Sequence, residues 1–264
     1  MNNISRKRLY LSIIELHKLP YNLCMNDLNA QPKHVVRPAC ESCGVRRLCL
    51  PVSLDGEALS TMDKLVKRRA PMKKGDYLFR TGDKFKSLYA IQYGSMKSYG
   101  LTVDGKEQVT GFHLTGEVLG LDALDGEEHH CNAVALEKTE ICEIPFSALE
   151  SLQNEVPRLQ HDLNRIMSRE IHRDHNMMLM LGSTTVEQRM ARFLLNLYER
   201  LKTRGASDNV LNLSMTRQDI GNYMGVAFET VSRQLAHMQD EGILSIKNRT
   251  IHLLDVERLE AIAG

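Results

Sequence analysis

The chain has no tryptophan and only 5% aromatic residues, while methionine reaches 13. Apolar residues still make up 42%, close to the globular average, so an ordinary core is expected. Neither sign of charge is in excess. The net charge is +1, and residues 184–264 hold ten Lys/Arg against ten Asp/Glu. The chain therefore lacks the basic footprint of a bulk nucleic-acid binder, and any DNA contact has to rest on motif geometry. No run approaches the roughly 18 apolar residues that a membrane span requires. The opening SRKRLYLSIIELHKLP is interrupted by Glu15, His17 and Lys18 and has no small-residue cleavage site after it, which argues against a secretory signal. No dinucleotide fingerprint, Walker loop, nucleophile-and-base constellation, repeat or low-complexity tract can be read, so catalysis is not expected. These absences point to the cytoplasm, where clustered cysteines bind metal more often than they form disulfides.

With 264 residues there is room for about two domains of ordinary size. Residues 1–39 are polar, Pro-punctuated and expected to be loosely ordered, and Met25 is an alternative start. A short amphipathic helix is expected over about 53–66. Residues 70–146 then alternate apolar and polar positions in DYLFR, SLYAIQYG, MKSYGLTV, EQVTGFHL and TEICEIPF, separated by Gly-containing turns. Many short strands with regular turns predict an antiparallel jelly-roll barrel.

Helical period returns over 147–182. Leu159, Leu163 and Ile166 form a stripe that suits packing on the barrel. Met167, Ile171, Asp174, Met178 and Leu181 follow the 4-3-4-3 spacing of a coiled-coil seam, with a carboxylate in the middle. A helix over about 185–203 precedes MTRQDIGNYMGVAFETVSRQL. There Thr216 and Asp219 read as a capping box, Gly225 as a turn, and Val231, Leu235 and Met238 as an inner face. Two strands, ILSIK and TIHLL, meet at Asn248-Arg249. The expected class is α+β: a segment over 1–52, a barrel over 53–150, a long helix over 151–183 and a winged helix-turn-helix over 184–264.

Two sets of residues carry chemistry. Glu229, Ser232 and Arg233 would face outward from the second helix, where Glu can accept from cytosine and Arg can donate twice to guanine; the bland alternative is a solvated helical hairpin. Cys40, Cys43 and Cys49 in CESCGVRRLC, with Cys142 far downstream in EICEIPF, supply four thiolates. Zinc ribbons usually show two Cys-x2-Cys knuckles and only one exists here, yet structural zinc and an iron–sulfur cluster both stay open. Arg46 and Arg47 would offset the charge of either. Cys24 and Cys131 are assigned no role, and the neighbouring His129 and His130 read as part of a polar barrel loop. Electron-transfer catalysis is the remaining alternative, with no enzyme motif behind it.

The chain resembles the CRP/FNR superfamily, and within it the oxygen-sensing FNR branch. The likeness runs from about Cys40 to Gly264 through CESCGVRRLC, SLYAIQYGSMKSY, EQVTGFHLTGEVLG, ICEIPF, RIMSREI and MTRQDIGNYMGVAFETVSR. This resemblance implies a cyclic-nucleotide-binding-like barrel and a [4Fe-4S] cluster on Cys40, Cys43, Cys49 and Cys142. It implies a homodimer while the cluster is intact, monomers after oxygen converts it to [2Fe-2S], and TTGAT-type half-sites read by Glu229, Ser232 and Arg233. The turn VDGKEQ resembles a loop that contacts RNA polymerase. Cyclic nucleotide is not expected, because LDALDGEEHHCNAVAL has no Arg to grip a phosphate. The chain departs from its relatives in its later first cysteine, in Phe228 where Val is usual, and in Lys106 where an acid is common.

Overall fold

The computed structural model describes residues 38–205 and 208–264. Cys24, the start at Met25 and nearly all of the segment expected to be loose fall outside them. The fold is α+β. A loop carrying three cysteines leads into α1 (Gly56–Leu65), and eight strands follow: β1 (Lys67–Arg68), β2 (Tyr77–Phe79), β3 (Ser87–Tyr93), β4 (Ser95–Leu101), β5 (Glu107–Leu114), β6 (Val118–Leu119), β7 (Asn132–Ala135) and β8 (Glu140–Pro145). They form two antiparallel sheets in the orders β1-β8-β3-β6 and β2-β7-β4-β5. The five strands expected from alternation are present. Three others carried no such signal: β1 and β6 have two residues each, and β7 is buried at every position.

β3 shows why period 2 matters here. Leu88 and Ala90 belong to a core shared with α1 and the helices after the barrel, whereas Tyr89 and Ile91 belong to the core between the sheets. β8 pairs with β3 and follows the same parity: Ile141 packs between the sheets, and Cys142 and Ile144 pack with the outer layer. A one-residue slip would exchange the two sets.

The helical stretch after the barrel is interrupted. α2 (Phe146–Glu155) ends before Val156, whose φ of −127° and ψ of 84° are not helical. Pro157 keeps the preceding residue out of helical backbone and becomes the first residue of α3 (Pro157–Ser183). At 27 residues, α3 is about 40 Å long. Leu159 and Leu163 are buried on the barrel and Ile166 packs beside them.

Thr185 and Gln188 form a reciprocal capping box that starts α4 (Val186–Lys202). The chain continues through β9 (Val210–Asn212), α5 (Arg217–Met224), α6 (Phe228–Asp240), β10 (Leu244–Lys247), β11 (Thr250–Leu253) and α7 (Val256–Ala263). The wing is a three-stranded sheet, β10-β11-β9, rather than the expected pair. Its β10–β11 turn places Asn248 at φ +58°. One core joins this region to the barrel: Tyr99, Val109 and Phe112 pack with Phe193, Leu194 and Ile220.

Candidate thiol centre and nucleic-acid interface

Cys40, Cys43, Cys49 and Cys142 border one small cavity together with Arg46, Met62, Val66, Gln92 and Ile144. The outward parity of β8 brings the distant fourth sulfur beneath the loop that carries the other three. Asp63 of α1 anchors that loop by accepting from the Cys40 N–H at 2.8 Å and from the Arg68 guanidinium. Arg46 turns to the Leu54 carbonyl, whereas Arg47 stays exposed. Burial pushes the Cys40 thiol up to about 12, with Asp63 and then Cys142 adding to the effect. Burial likewise pushes Cys49 to about 12 against a hydrogen bond from the Leu50 N–H, with Cys142, Cys40 and Cys43 adding to it. Cys40 and Cys49, whose thiols burial and neighbouring groups keep protonated, suit a soft cation or cluster, which would displace their protons. Gln92 adds a buried side-chain oxygen that accepts no hydrogen bond from the described residues. Among the described residues, no group of three His, Cys, Asp or Glu side chains is already gathered to hold a metal ion. Four thiols lining one cavity are a donor set of the kind four-sulfur ligation uses.

Leu48 links this loop to the rest of the molecule. It lies over Gly116, where an added Cβ would come within 2.7 Å of the Leu48 Cβ and where φ is +89°. The next residue, Glu117, is nearly buried and meets three arginines: Arg173 of α3 at 3.3 Å, and Arg200 of α4 and Arg204 just beyond its end at 2.6 Å each. Burial alone would raise its carboxyl, but Arg200, Arg173 and Arg204 hold it at about 2. A second tie runs from Ser53 to buried Asp162 of α3, which accepts from its N–H at 3.0 Å and its hydroxyl at 2.5 Å. None of these contacts was foreseen in the sequence.

The helix-turn-helix is built as its motif requires. The Thr216 side chain accepts from the Asp219 N–H while Asp219 accepts from the Thr216 N–H, and Gly225 takes the left-handed conformation that ends α5. Gly221 is a packing requirement, since a Cβ there would lie 2.6 Å from the Val226 carbonyl. Ile220, Met224, Val231, Leu235 and Met238 close the interior. Glu229, Ser232 and Arg233 are all exposed on α6. Ser232 donates to the Phe228 carbonyl and Arg233 to the Thr230 hydroxyl, so both are held by their own helix without being buried. Lys97 of β4 donates to Asp219 at 2.8 Å and to Glu107 at 2.9 Å, tying α5 to the barrel.

On α3, Ile171 and Met178 are 55% and 62% exposed, Asp174 is exposed between them, and Met167 and Leu181 are half-buried. These five residues help line a cavity of about 570 Å³ between α3 and the barrel, with His113, Asp122, Cys131 and Glu170 on its walls. The lining contains three carboxylates and neither Lys nor Arg. His129 is buried, stacked on Phe79 and 3.3 Å from Asp122, so it is a satisfied core residue. Among the described residues no helix is long and apolar enough to cross a membrane.

Residues 69–155 match the family model of the cyclic nucleotide-binding domain, and residues 188–262 match that of the Crp-like helix-turn-helix domain. The chain is 46% identical over 225 residues to the transcriptional activator protein Anr of Pseudomonas protegens, covering 85% of this chain and 92% of that protein. It is 43% identical to the fumarate and nitrate reduction regulatory protein of Vibrio cholerae, covering 85% and 90%. Among solved structures, FixK2 from Bradyrhizobium japonicum superposes with a TM-score of 0.70 at 30% identity over 75% of this chain and 98% of that one. Two domain matches in the expected order, with regulators similar over nearly their whole length, place this chain in the CRP/FNR family of transcription regulators.

Proposed function

We propose that this protein is a cytoplasmic, oxygen-responsive regulator that holds a [4Fe-4S] cluster on Cys40, Cys43, Cys49 and Cys142 and binds DNA as a homodimer while the cluster is intact. The observation that carries the reading is the convergence of four thiols, from two distant stretches, on one cavity. When bound, the cluster supplies an oxygen-labile iron–sulfur centre. The protein's own residues do the rest. Leu48 on Gly116 and Ser53 on Asp162 make the position of the cysteine loop felt at α3. Glu117 passes the same displacement to α3 through Arg173 and to the C-terminal end of α4 through Arg200 and the following Arg204. α3 presents Met167, Ile171, Asp174, Met178 and Leu181 to a second copy. Dimerisation sets two α6 helices about one DNA turn apart on TTGAT-type half-sites, where Glu229, Ser232 and Arg233 read base edges. The exposed β4–β5 turn, with Val103, Asp104 and Lys106 at its tip, suits contact with RNA polymerase. The carboxylate-lined cavity beside α3 is poorly suited to a cyclic phosphate.

Anaerobic purification with iron, sulfide and zinc analysis, and a visible spectrum repeated after air, tests the reading. About four iron and four sulfide per subunit, with a spectrum that changes in air, are expected. Stoichiometric zinc with an inert spectrum would leave a DNA-binding regulator with a structural metal and another signal.

A further inference from the structure

Among the described residues, Phe228 is one of several exposed large apolar side chains, and it is the one that lies on the face of α6 that carries Glu229, Ser232 and Arg233. It is the first residue of α6 and is 46% exposed. The helix-turn-helix interior is closed without it by Ile220, Met224, Val231, Leu235 and Met238. On a 3.6-residue helix, Phe228 and Ser232 lie one turn apart, as do Glu229 and Arg233, so all four share the outward face of the first turns. That part of a second helix in a helix-turn-helix meets base edges in the major groove. There the largest apolar group available to an aromatic ring is the C5-methyl of thymine.

We infer that Phe228 is a specificity-determining residue that packs against a thymine methyl and adds a thymine preference next to the bases read by Glu229, Ser232 and Arg233. The inference rests on the DNA-binding reading above and extends it to a base contact that the polar residues cannot make. The ring's continuity with three polar reader residues favours duplex DNA over a protein partner as its occupant. A protein-docking patch would call for neighbouring apolar side chains, and here Glu229 and Arg233 flank the ring.

The test uses the full chain, prepared anaerobically, and a duplex carrying the palindromic site it selects from random sequence. Each thymine of a half-site is replaced in turn by deoxyuridine, which lacks only the C5-methyl. At one position per half-site the wild type is expected to lose about fourfold in affinity, and roughly fifteenfold with both half-sites changed. Phe228→Ala should bind thymine and deoxyuridine duplexes alike, and Phe228→Leu should retain part of the difference. Wild-type binding that is indifferent to every methyl would overturn the assignment while leaving DNA binding intact. So would a methyl effect that persists undiminished in Phe228→Ala. Self-association that Phe228→Ala abolishes, with base preference unchanged, would assign the ring to a protein contact. Failure of the wild type to bind any duplex would instead sink the DNA-binding reading, and this inference with it.

Discussion

Single positions are decided here by which side of a sheet or helix a side chain occupies. Cys142 pairs with Ala90 on β3 and with Arg68 on β1, and this parity turns it out of the barrel toward the cysteine loop. Cys142→Ala should therefore abolish iron and sulfide binding and anaerobic DNA binding together; wild-type iron content in that variant would remove Cys142 from the ligand set. His113 poses a different residue-scale question. It is buried, its Nε2 shares a 2.9 Å hydrogen bond with Ser98, and its Nδ1 makes none with the described residues. Burial depresses its pKa to about 4, with Glu117 and Asp122 opposing and Arg173 and Arg200 reinforcing the shift. The unfolded chain would bind a proton there from about pH 6.5 downward, while the folded protein resists until about 4. Stability should then fall as pH drops across that window, by up to about 3 kcal/mol. Chemical denaturation of wild type and His113→Gln at pH 7 and pH 4.5 measures it. Parallel acid losses in the two proteins would exonerate His113.

Elements are joined by charges as well as by cores, and Glu117 is the densest of these joints. One carboxylate at the β5–β6 turn receives arginines from both α3 and α4. Glu117→Gln keeps the volume but leaves three guanidinium groups partly buried without their shared counter-charge. A loss of about 3–5 kcal/mol is expected, because breaking a buried charge pair strands the partner. Urea unfolding reads this directly; a change under about 1 kcal/mol would mean that water takes the carboxylate's place. This joint also marks the limit of what the sequence reveals. The helix-turn-helix was legible because Thr216, Asp219, Gly225 and the Val231–Leu235–Met238 stripe are local signals within one short stretch. The barrel was legible wherever a strand alternates, and it was missed at Val118–Leu119 and in the uniformly buried Asn132–Ala135. Three cysteines announced themselves by spacing, and the remote Cys142 was counted with them as a fourth thiolate, but the choice of an iron–sulfur cluster over zinc came only from the family likeness. Glu117 lies more than 80 residues from Arg200 and Arg204, and no periodicity couples positions that far apart. The same holds for Ser53 with Asp162 and for Lys97 with Asp219.

At the scale of the whole molecule, the proposed function would turn on how two chains weigh α3 against α3. Ile171 and Met178 offer apolar surface to a partner, while Asp174 offers a charge that a symmetric dimer would set against its own copy. Partial burial already raises the Asp174 carboxyl above the usual carboxylate range in the single chain, against the pull of Arg173 and His175. A second subunit would desolvate it further and add a like charge, both of which disfavour ionisation and association. The dimer should consequently be marginal, so that a small displacement passed from the cysteine loop through Leu48 and Glu117 decides its fate. Asp174→Ala removes the repulsion and leaves the apolar seam in place. Air-exposed Asp174→Ala is expected to sediment as a dimer and to bind its site, while air-exposed wild type remains monomeric. A monomeric Asp174→Ala protein in air would place this carboxylate at the solvent edge of the seam. The loop's hold on α3, rather than charge repulsion across the axis, would then set the oligomeric state.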